Sequence, residues 1–293
     1  LGIDAYIVLD ENRNFAGAVV DMLRADGWDG KIIDVNEALA LMTRKTLLVV
    51  VDTHKSSFVD FPTLYEKASA TVVIDHHRKS VDHIKDALIF FHDPNASSTC
   101  EMVTELMRYI TPAPTLSPVE AQAMLAGIML DTKEFVLSTG VRTFEAAAFL
   151  KGKGADTVAV KRLFSNSIES NRKRSEIISA AHIYRGCAIA CTAPGTENAR
   201  LLSAQAADEL LEVSGVKASF VIFDSGNDSV NISARSYGDL NVQIIMEYLG
   251  GGGHRTMAAA QLTGVNMEEA KSKLCEAIDA KYPRTDGEEP TPI

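Results

Sequence analysis

Short apolar runs alternate with segments of helical spacing along the first half of the chain. Strand-like runs occupy residues 5–9, 46–51 and 71–74, and the third of them consists of β-branched residues up to Ile74. Apolar positions recur at helical spacing in residues 15–23 and 37–42. Strands that alternate with helices are typical of a parallel sheet joined by right-handed crossovers. The pattern therefore predicts an α/β domain with a parallel sheet.

Two four-residue segments predict the starts of further helices. Ser98 and Glu101 have the spacing of a capping box, and so do Ser117 and Glu120, with Pro118 at the first helical position. We expect the second helix to end near residues 130–131. A further helix follows residue 144 and is expected to end at the glycines of residues 152 and 154.

The pattern changes after about residue 184. Residues 187–192, 219–223 and 230–234 have strand character, and the alanine-rich residues 203–211 predict a helix. A second, smaller α/β domain follows from this change. We therefore expect a first domain over residues 1–164, a linker helix over 165–184, a second domain over 185–283, and a disordered Pro- and Glu-rich tail over 284–293.

Composition narrows the class of protein. The chain has 293 residues, of which 46% are hydrophobic, and a formal net charge of -10. This charge argues against a protein that binds long nucleic acid by neutralising phosphates. No apolar run approaches the length of about 20 residues that crosses a bilayer. The four cysteines have no Cys-x-x-Cys spacing, so neither a zinc ribbon nor a disulfide scaffold is indicated.

Acidic and imidazole side chains follow several of the apolar segments. Asp52 follows one strand-like run, Asp75, His76 and His77 follow the next, and Asp131 ends the apolar segment at 127–130. Open α/β sheets place their ligands at the carboxyl ends of parallel strands. A single such Asp would most often cap a helix or turn, but the set predicts a site for a borderline divalent ion such as Mn²⁺. His54 is either a partner of this site or a surface or capping residue.

A second group of residues predicts an anion site. Four glycines, Gly250 to Gly253, precede His254 and follow the helix predicted over residues 242–249. Glycines let backbone N–H groups approach a phosphate, and we expect a helix N-terminus after them. Arg235 lies at a strand end between two serines and is suited to clamp an anion. The alternatives are a flexible helix end for the glycines and a surface salt bridge for Arg235.

At these residues the sequence resembles the DHH phosphoesterase superfamily with its DHH-associated C-terminal domain. It is most similar to the cytoplasmic catalytic part of the membrane-anchored cyclic-di-AMP phosphodiesterases that carry PAS and degenerate GGDEF domains. The motifs that carry the resemblance span nearly the whole chain: residues 51–55, 74–78, 96–99, 126–128, 130–133, 153–157, 204–208, 233–236, 241–246 and 251–254.

The resemblance implies a function and roles for these residues. It implies hydrolysis of cyclic-di-AMP to linear 5′-pApA by hydroxide attack at a site with two Mn²⁺ ions, in a cleft between the two domains. It also implies a homodimer that is attached to the membrane through upstream segments. The roles are as follows: Asp52 bridges the ions, His76 and Asp131 ligate one of them, Asp75 and His77 support the metal and face the phosphate, and Ser233, Arg235, Ser236, Gly251, Gly252, Gly253 and His254 hold the substrate.

The sequence departs from the family at one motif. The first metal motif, His-x-x-x-Asp-x-Asp, does not occur in the chain, and residues 10–12 are a poor substitute for it. We expect this motif just before Leu1, and we expect the chain alone to hydrolyse its substrate poorly. Two alternatives stay open: a nano-RNase or phosphoadenosine phosphatase acting on short linear nucleotides, and a nucleotide-sensing module without catalysis.

Overall fold

The computed structural model describes residues 3–10, 16–110, 115–226 and 228–283. The chain divides into two compact units, Leu1–Ser165 and Asn166–Ile293. The predicted disordered tail at residues 284–293 lies outside the described residues, and so do residues 11 and 12 of the poor substitute for the first metal motif.

The first unit contains two parallel sheets, as the alternation of strands and helices predicts. A two-stranded sheet pairs β1 with β2, and a three-stranded sheet has the order β3-β4-β5. Val51 lies opposite Ile74, so these two strands end side by side. The strands of this unit are β1 (Ile7–Val8), β2 (Ile32–Ile33), β3 (Leu47–Val51), β4 (Ala70–Asp75) and β5 (Ile89–His92).

Helices follow and separate these strands. Those of the first unit are α1 (Gly17–Leu23), α2 (Val35–Leu41), α3 (Pro62–Lys67), α4 (Thr99–Ile110), α5 (Pro118–Asp131), α6 (Val141–Gly152) and α7 (Thr157–Leu163). The capping box of α5 is confirmed, because Ser117 and Glu120 bond reciprocally. The predicted box of α4 is half formed: Ser98 accepts from the Glu101 N–H, but the Glu101 carboxylate accepts from Ser97 instead.

Strand β4 is buried on both faces, which explains its continuous apolar run. Val73 packs with Val50 and Ile84 on one face, and Ile74 packs with Met102 of α4 on the other. A separate core joins α5, α6 and α7 around Leu125, Ile128, Leu150 and Val160. These cores fix the ends of β3, β4 and α5, where the candidate ligands are attached.

The second unit is built on a six-stranded sheet of order β10-β11-β9-β8-β7-β6, in which only the pair β7–β8 is parallel. Its strands are β6 (His182–Tyr184), β7 (Cys187–Cys191), β8 (Ala218–Gly226), β9 (Ser229–Ser236), β10 (Gly252–Gly253) and β11 (Met257–Thr263). Its helices are α8 (Ile168–Ser179), α9 (Ala199–Leu210), α10 (Val242–Tyr248) and α11 (Met267–Lys281).

Helices cover both faces of this sheet. Ile177 of α8 and Leu202 of α9 pack on one face with Val221, while Ile245 of α10 and Leu274 of α11 pack on the other. The residues expected to form a linker helix therefore include α8, whose side chains contribute to the core of the second unit. Among the residues described, none of the helices has both the length and the apolar character that crossing a bilayer requires.

Candidate functional site

Three side chains of the first unit converge where β3, β4 and α5 end. The Nε2 atom of His76 lies 3.4 Å from Oδ1 of Asp52 and 3.7 Å from Oδ2 of Asp131. The parallel pairing of β3 with β4 brings Asp52 and His76 together, and the C-terminal turn of α5 adds Asp131. The structure thus brings together the three residues that the sequence predicts as metal ligands.

The backbone at Asp52 is held in an unusual conformation. Its φ is 63°, in the left-handed region that Asp and Asn adopt more readily than other non-glycine residues. Its N–H donates to the Ile74 carbonyl, and the Thr99 hydroxyl donates to its Oδ1 over 3.0 Å. Strain of this kind is concentrated at functional sites, because the surrounding structure must hold it in place. Here it turns the carboxylate toward His76.

The imidazole of His76 is oriented by a backbone carbonyl. Its Nδ1 lies 3.3 Å from the Ala96 oxygen, which can only accept a hydrogen bond, so Nδ1 is the donor. Nε2 therefore faces the two carboxylates. Burial lowers the pKa of His76, but the hydrogen bond to Asp52 and the charge of Asp131 outweigh it and raise the pKa above its usual value.

Asp75 is fully buried and supports the second imidazole. Its Oδ1 accepts from His77 Nδ1 over 2.7 Å and from the His77 N–H over 3.2 Å, while its Oδ2 is bonded to His54. Burial alone would raise the pKa of Asp75, yet these hydrogen bonds hold it well below its usual range. The bond to Asp75 also raises the pKa of His77 above its usual value.

The two carboxylates of the metal site respond differently to their surroundings. Burial raises the pKa of Asp131 to about 6, and the nearby charge of Asp52 adds to that effect. At Asp52, hydrogen bonds from His76 and Thr99 outweigh burial and lower the pKa. The charge of Asp52 thus disfavours the ionised form of Asp131, an effect that a bound cation would relieve.

The donor atoms fit a divalent cation. Ligand atoms of Asp52, His76 and His77 lie within 4.8 Å of one another, and a second group of this kind contains His54, Asp75 and His92. Mixed oxygen and nitrogen ligands suit ions such as Mn²⁺. In the second group both ring nitrogens of His54 already make hydrogen bonds, to Asp75 and to the Ser80 N–H. The candidate metal site therefore lies at the first group, where Asp131 also approaches His76 Nε2 to 3.7 Å.

The loop that precedes α4 is fixed by a buried carboxylate. Glu101 is 1% exposed and accepts hydrogen bonds from the Ser97 hydroxyl over 2.6 Å and from the Thr143 hydroxyl over 2.7 Å. The same loop supplies the Ala96 carbonyl to His76, and the first residue of α4, Thr99, donates to Asp52. These contacts make the loop part of the site, a role that the sequence does not reveal.

In the second unit, the pairing of the strands places most of the predicted anion-binding residues close together. Ser233 lies opposite Ala259, which in turn lies opposite Gly252, and Arg235 lies opposite Met257. Residues that face each other across antiparallel strands share a face of the sheet. Ser233, Arg235 and the glycine strand are therefore neighbours on the face opposite the core of Ile232 and Ala260.

Arg235 and Ser236 have different environments. The Arg235 guanidinium pairs with Asp208 over 3.1 Å and also donates to the Ala234 carbonyl. Ser236 lies on the other face, is 2% exposed, and donates to the Leu240 carbonyl over 2.6 Å. The structure thus separates Ser236 from the face that Ser233 and Arg235 share.

The glycines before His254 differ in how much room each position leaves for a side chain. A Cβ at Gly251 would lie 2.1 Å from the Ala259 oxygen, and one at Gly253 would lie 2.5 Å from Cα of Ala258, so both allow close contact between β10 and β11. A Cβ at Gly252 would meet nothing within 4 Å. The helix predicted after the glycines is wrong: β11 follows, because its backbone pairs with β9, and His254 is exposed at the turn.

Two family models match the chain in the order of its two units. The DHH family, N-terminal domain, matches residues 5–128, and the DHHA1 domain matches residues 188–282. The chain therefore belongs to the DHH family and carries a DHHA1 domain in its second half. The resemblance inferred from the motifs is confirmed.

Two curated relatives are similar to nearly the whole of this chain. The chain is 48% identical over 280 residues to the cyclic-di-AMP phosphodiesterase GdpP of Geobacillus thermodenitrificans, covering 94% of this chain and 42% of the relative. It is 43% identical over 285 residues to the cyclic-di-AMP phosphodiesterase GdpP of Bacillus subtilis, covering 95% of this chain and 43% of the relative. The chain thus spans about two fifths of the length of these relatives.

One solved structure shows the same fold. It is the crystal structure of an exopolyphosphatase-related protein from Bacteroides fragilis, with a TM-score of 0.74 and 20% identity over 90% of this chain and 81% of that chain. At this level of identity the similarity supports the α/β fold alone.

Proposed function

We propose that the protein is a phosphodiesterase that uses Mn²⁺ to hydrolyse cyclic-di-AMP to linear 5′-pApA. The observation that carries the proposal is the position of His76 Nε2, 3.4 Å from the Asp52 carboxylate and 3.7 Å from the Asp131 carboxylate. The names of the relatives that match more than nine tenths of this chain support the choice of substrate.

Asp52, His76 and Asp131 would hold the metal. When bound, Mn²⁺ would lower the pKa of a water molecule and neutralise negative charge on the phosphate. The remaining steps belong to the chain itself. The Ala96 carbonyl and the Thr99 hydroxyl orient the ligand side chains, so that they need little rearrangement when the substrate binds.

His77 is proposed to contact the phosphate. Its Nδ1 is held by Asp75, which leaves Nε2 directed away from that carboxylate. Because the bond to Asp75 raises the pKa of His77, the ring is suited to donate a hydrogen bond to an anionic oxygen. Asp75 would then act by holding the His77 ring in place and raising its pKa.

The second unit is proposed to bind the nucleotide. Ser233, Arg235, Gly252 and the exposed His254 lie on or beside one face of its sheet. Gly251 and Gly253 would shape this face, and Ser236 would support the turn that leads to α10. Asp208 would hold the Arg235 guanidinium in position for a phosphate or a base.

The number of ligands limits what the described residues can hold. In the part of the chain that the structure describes, Asp52, His76 and Asp131 converge and would supply ligands for one ion. Two ions require further ligands, which the family supplies from its first motif. The homodimer and the membrane attachment that the resemblance implies stay predictions.

A comparison of substrates tests the proposed function. We expect the full-length protein with Mn²⁺ to convert cyclic-di-AMP to pApA, and to hydrolyse pApA, a short RNA and 3′-phosphoadenosine 5′-phosphate much more slowly. Chromatography of the products over a time course measures this directly. The proposal would be wrong if the linear substrates were turned over faster, or if cyclic-di-AMP bound tightly and were recovered intact in the presence of Mn²⁺.

A further inference from the structure

We propose that His54 is a positioning residue for the metal site, which acts by holding Asp75 and, through it, the two histidines that follow. The proposal rests on the proposed function and deepens it, because it names a residue that touches neither the substrate nor the ion. The sequence leaves His54 undecided between a partner of the site and a surface or capping residue.

His54 ties together the segments that follow β3 and β4. It is 1% exposed, and its Nδ1 bonds to Oδ2 of Asp75, which ends β4. Its Nε2 accepts from the Ser80 N–H over 2.9 Å, and its carbonyl accepts from the Ile84 N–H over 2.8 Å. One residue, two positions after Asp52, therefore fixes three points of the segment that carries His76 and His77.

The hydrogen bonds determine which nitrogen of His54 carries the proton. The Ser80 N–H can only donate, so Nε2 must be the acceptor, and the proton lies on Nδ1. Nδ1 then donates to the Asp75 carboxylate. This arrangement uses the whole polar capacity of the ring, which leaves no nitrogen lone pair for a second metal ion among His54, Asp75 and His92.

The bond from His54 decides how Asp75 is oriented. Asp75 is fully buried, and its two oxygens have separate partners: Oδ2 meets His54, while Oδ1 meets the ring and the N–H of His77. If Oδ2 lost its donor, a buried charged oxygen would be left unpaired, and the carboxylate would have reason to rotate. Rotation would release His77 and shift the adjacent His76.

A neighbouring imidazole completes the support. His92 Nε2 donates to the His77 carbonyl over 2.5 Å, and its ring packs against His54 with centroids 5.4 Å apart. The backbone of His77 is thus fixed from β5, and its side chain is fixed from Asp75. His54 is the only member of this arrangement that also belongs to the segment carrying Asp52, so it sets the relation between the two ligand-bearing strands.

Two substitutions separate the two ring contacts of His54. His54→Asn places an amide N–H near the position of Nδ1, which keeps the bond to Asp75 and loses the acceptor for Ser80. His54→Gln places its amide oxygen near the position of Nε2, which keeps the acceptor and loses the bond to Asp75. His83→Gln is the matched control, because His83 bonds to the Val81 carbonyl and not to Asp75.

The measurements are Mn²⁺ affinity of the metal-free full-length protein by calorimetry, thermal unfolding, and kcat and KM for cyclic-di-AMP. Loss of a residue that orients metal ligands typically costs about 10- to 100-fold in metal affinity. We expect His54→Gln to lose about that much affinity and a similar factor in kcat with little change in KM, while His54→Asn and His83→Gln stay close to the parent.

Equal Mn²⁺ affinities for the Asn and Gln variants would overturn the proposal, since a role in packing alone does not distinguish them. The proposal would also be overturned if both His54 variants lost Mn²⁺ affinity in proportion to their loss of thermal stability. If the parent protein binds Mn²⁺ but hydrolyses no nucleotide, the proposed function fails, while the difference in affinity between the two variants still decides the role of His54.

Discussion

Asp52→Asn is expected to abolish Mn²⁺-dependent hydrolysis while leaving the fold intact. Removing the carboxylate charge deletes a direct ligand, and because loss of an outer-sphere partner alone costs about 10- to 100-fold in metal affinity, a larger loss is expected here. Asn is the suitable replacement because it tolerates the left-handed backbone at this position, where φ is 63°. Its side-chain oxygen can still accept from Thr99.

Calorimetric titration with Mn²⁺ and a kinetic assay on the full-length protein check this expectation. Asp60→Asn is the control, because Asp60 is exposed and belongs to neither group of candidate ligands. We expect the Asp60 variant to behave like the parent and the Asp52 variant to unfold at nearly the parental temperature. Wild-type Mn²⁺ affinity in Asp52→Asn would exclude Asp52 as a ligand.

Gly251→Ala is expected to destabilise the second unit strongly, whereas Gly252→Ala is expected to leave its stability nearly unchanged. A Cβ at Gly251 would lie 2.1 Å from the Ala259 oxygen and 2.6 Å from the Ala260 Cα, so the backbone must move. Overpacking of this kind costs about 1–3 kcal/mol in the free energy of unfolding. Gly252 has open space at the same position, and a methyl group there would occupy the face proposed to bind phosphate.

Denaturant unfolding measures the first effect, and cyclic-di-AMP binding measures the second. We expect the two variants to be affected in different measurements. Gly251→Ala loses stability, while Gly252→Ala keeps stability and loses nucleotide affinity. Two equally stable variants would show that β10 and β11 can separate without cost. Unchanged nucleotide affinity in Gly252→Ala would argue against the glycine strand as a phosphate site.

The parallel half of the fold follows from local patterns. Strand β3 is a short run of leucine and valine and β4 is mostly β-branched, and burial on both faces of β4 is the reason that its run is continuous. The start of α5 was predictable because both partners of its capping box lie within four residues. Asp52 and His76 were predictable as neighbours because parallel strands end at one edge of a sheet, whereas Asp131 comes from the end of helix α5.

The second half was harder to predict for a physical reason. Residues 257–263 are rich in alanine, which has no preference for strands, and they form β11 because they pair with β9 along seven positions. The glycines therefore suggested that a helix begins after them, whereas they form one strand of a hairpin. The functions of Ala96, Glu101 and His54 depend on contacts between residues far apart in sequence, which no local pattern encodes.

The most direct test of the proposed metal site is the position of Mn²⁺ in crystals of the full-length protein, located by anomalous diffraction. The central prediction is a peak at bonding distance from the Asp52 carboxylate, His76 Nε2 and the Asp131 carboxylate, with the His54 ring still bonded to Asp75. A peak between His54 and His92, or saturated binding with no peak at Asp52, would contradict it.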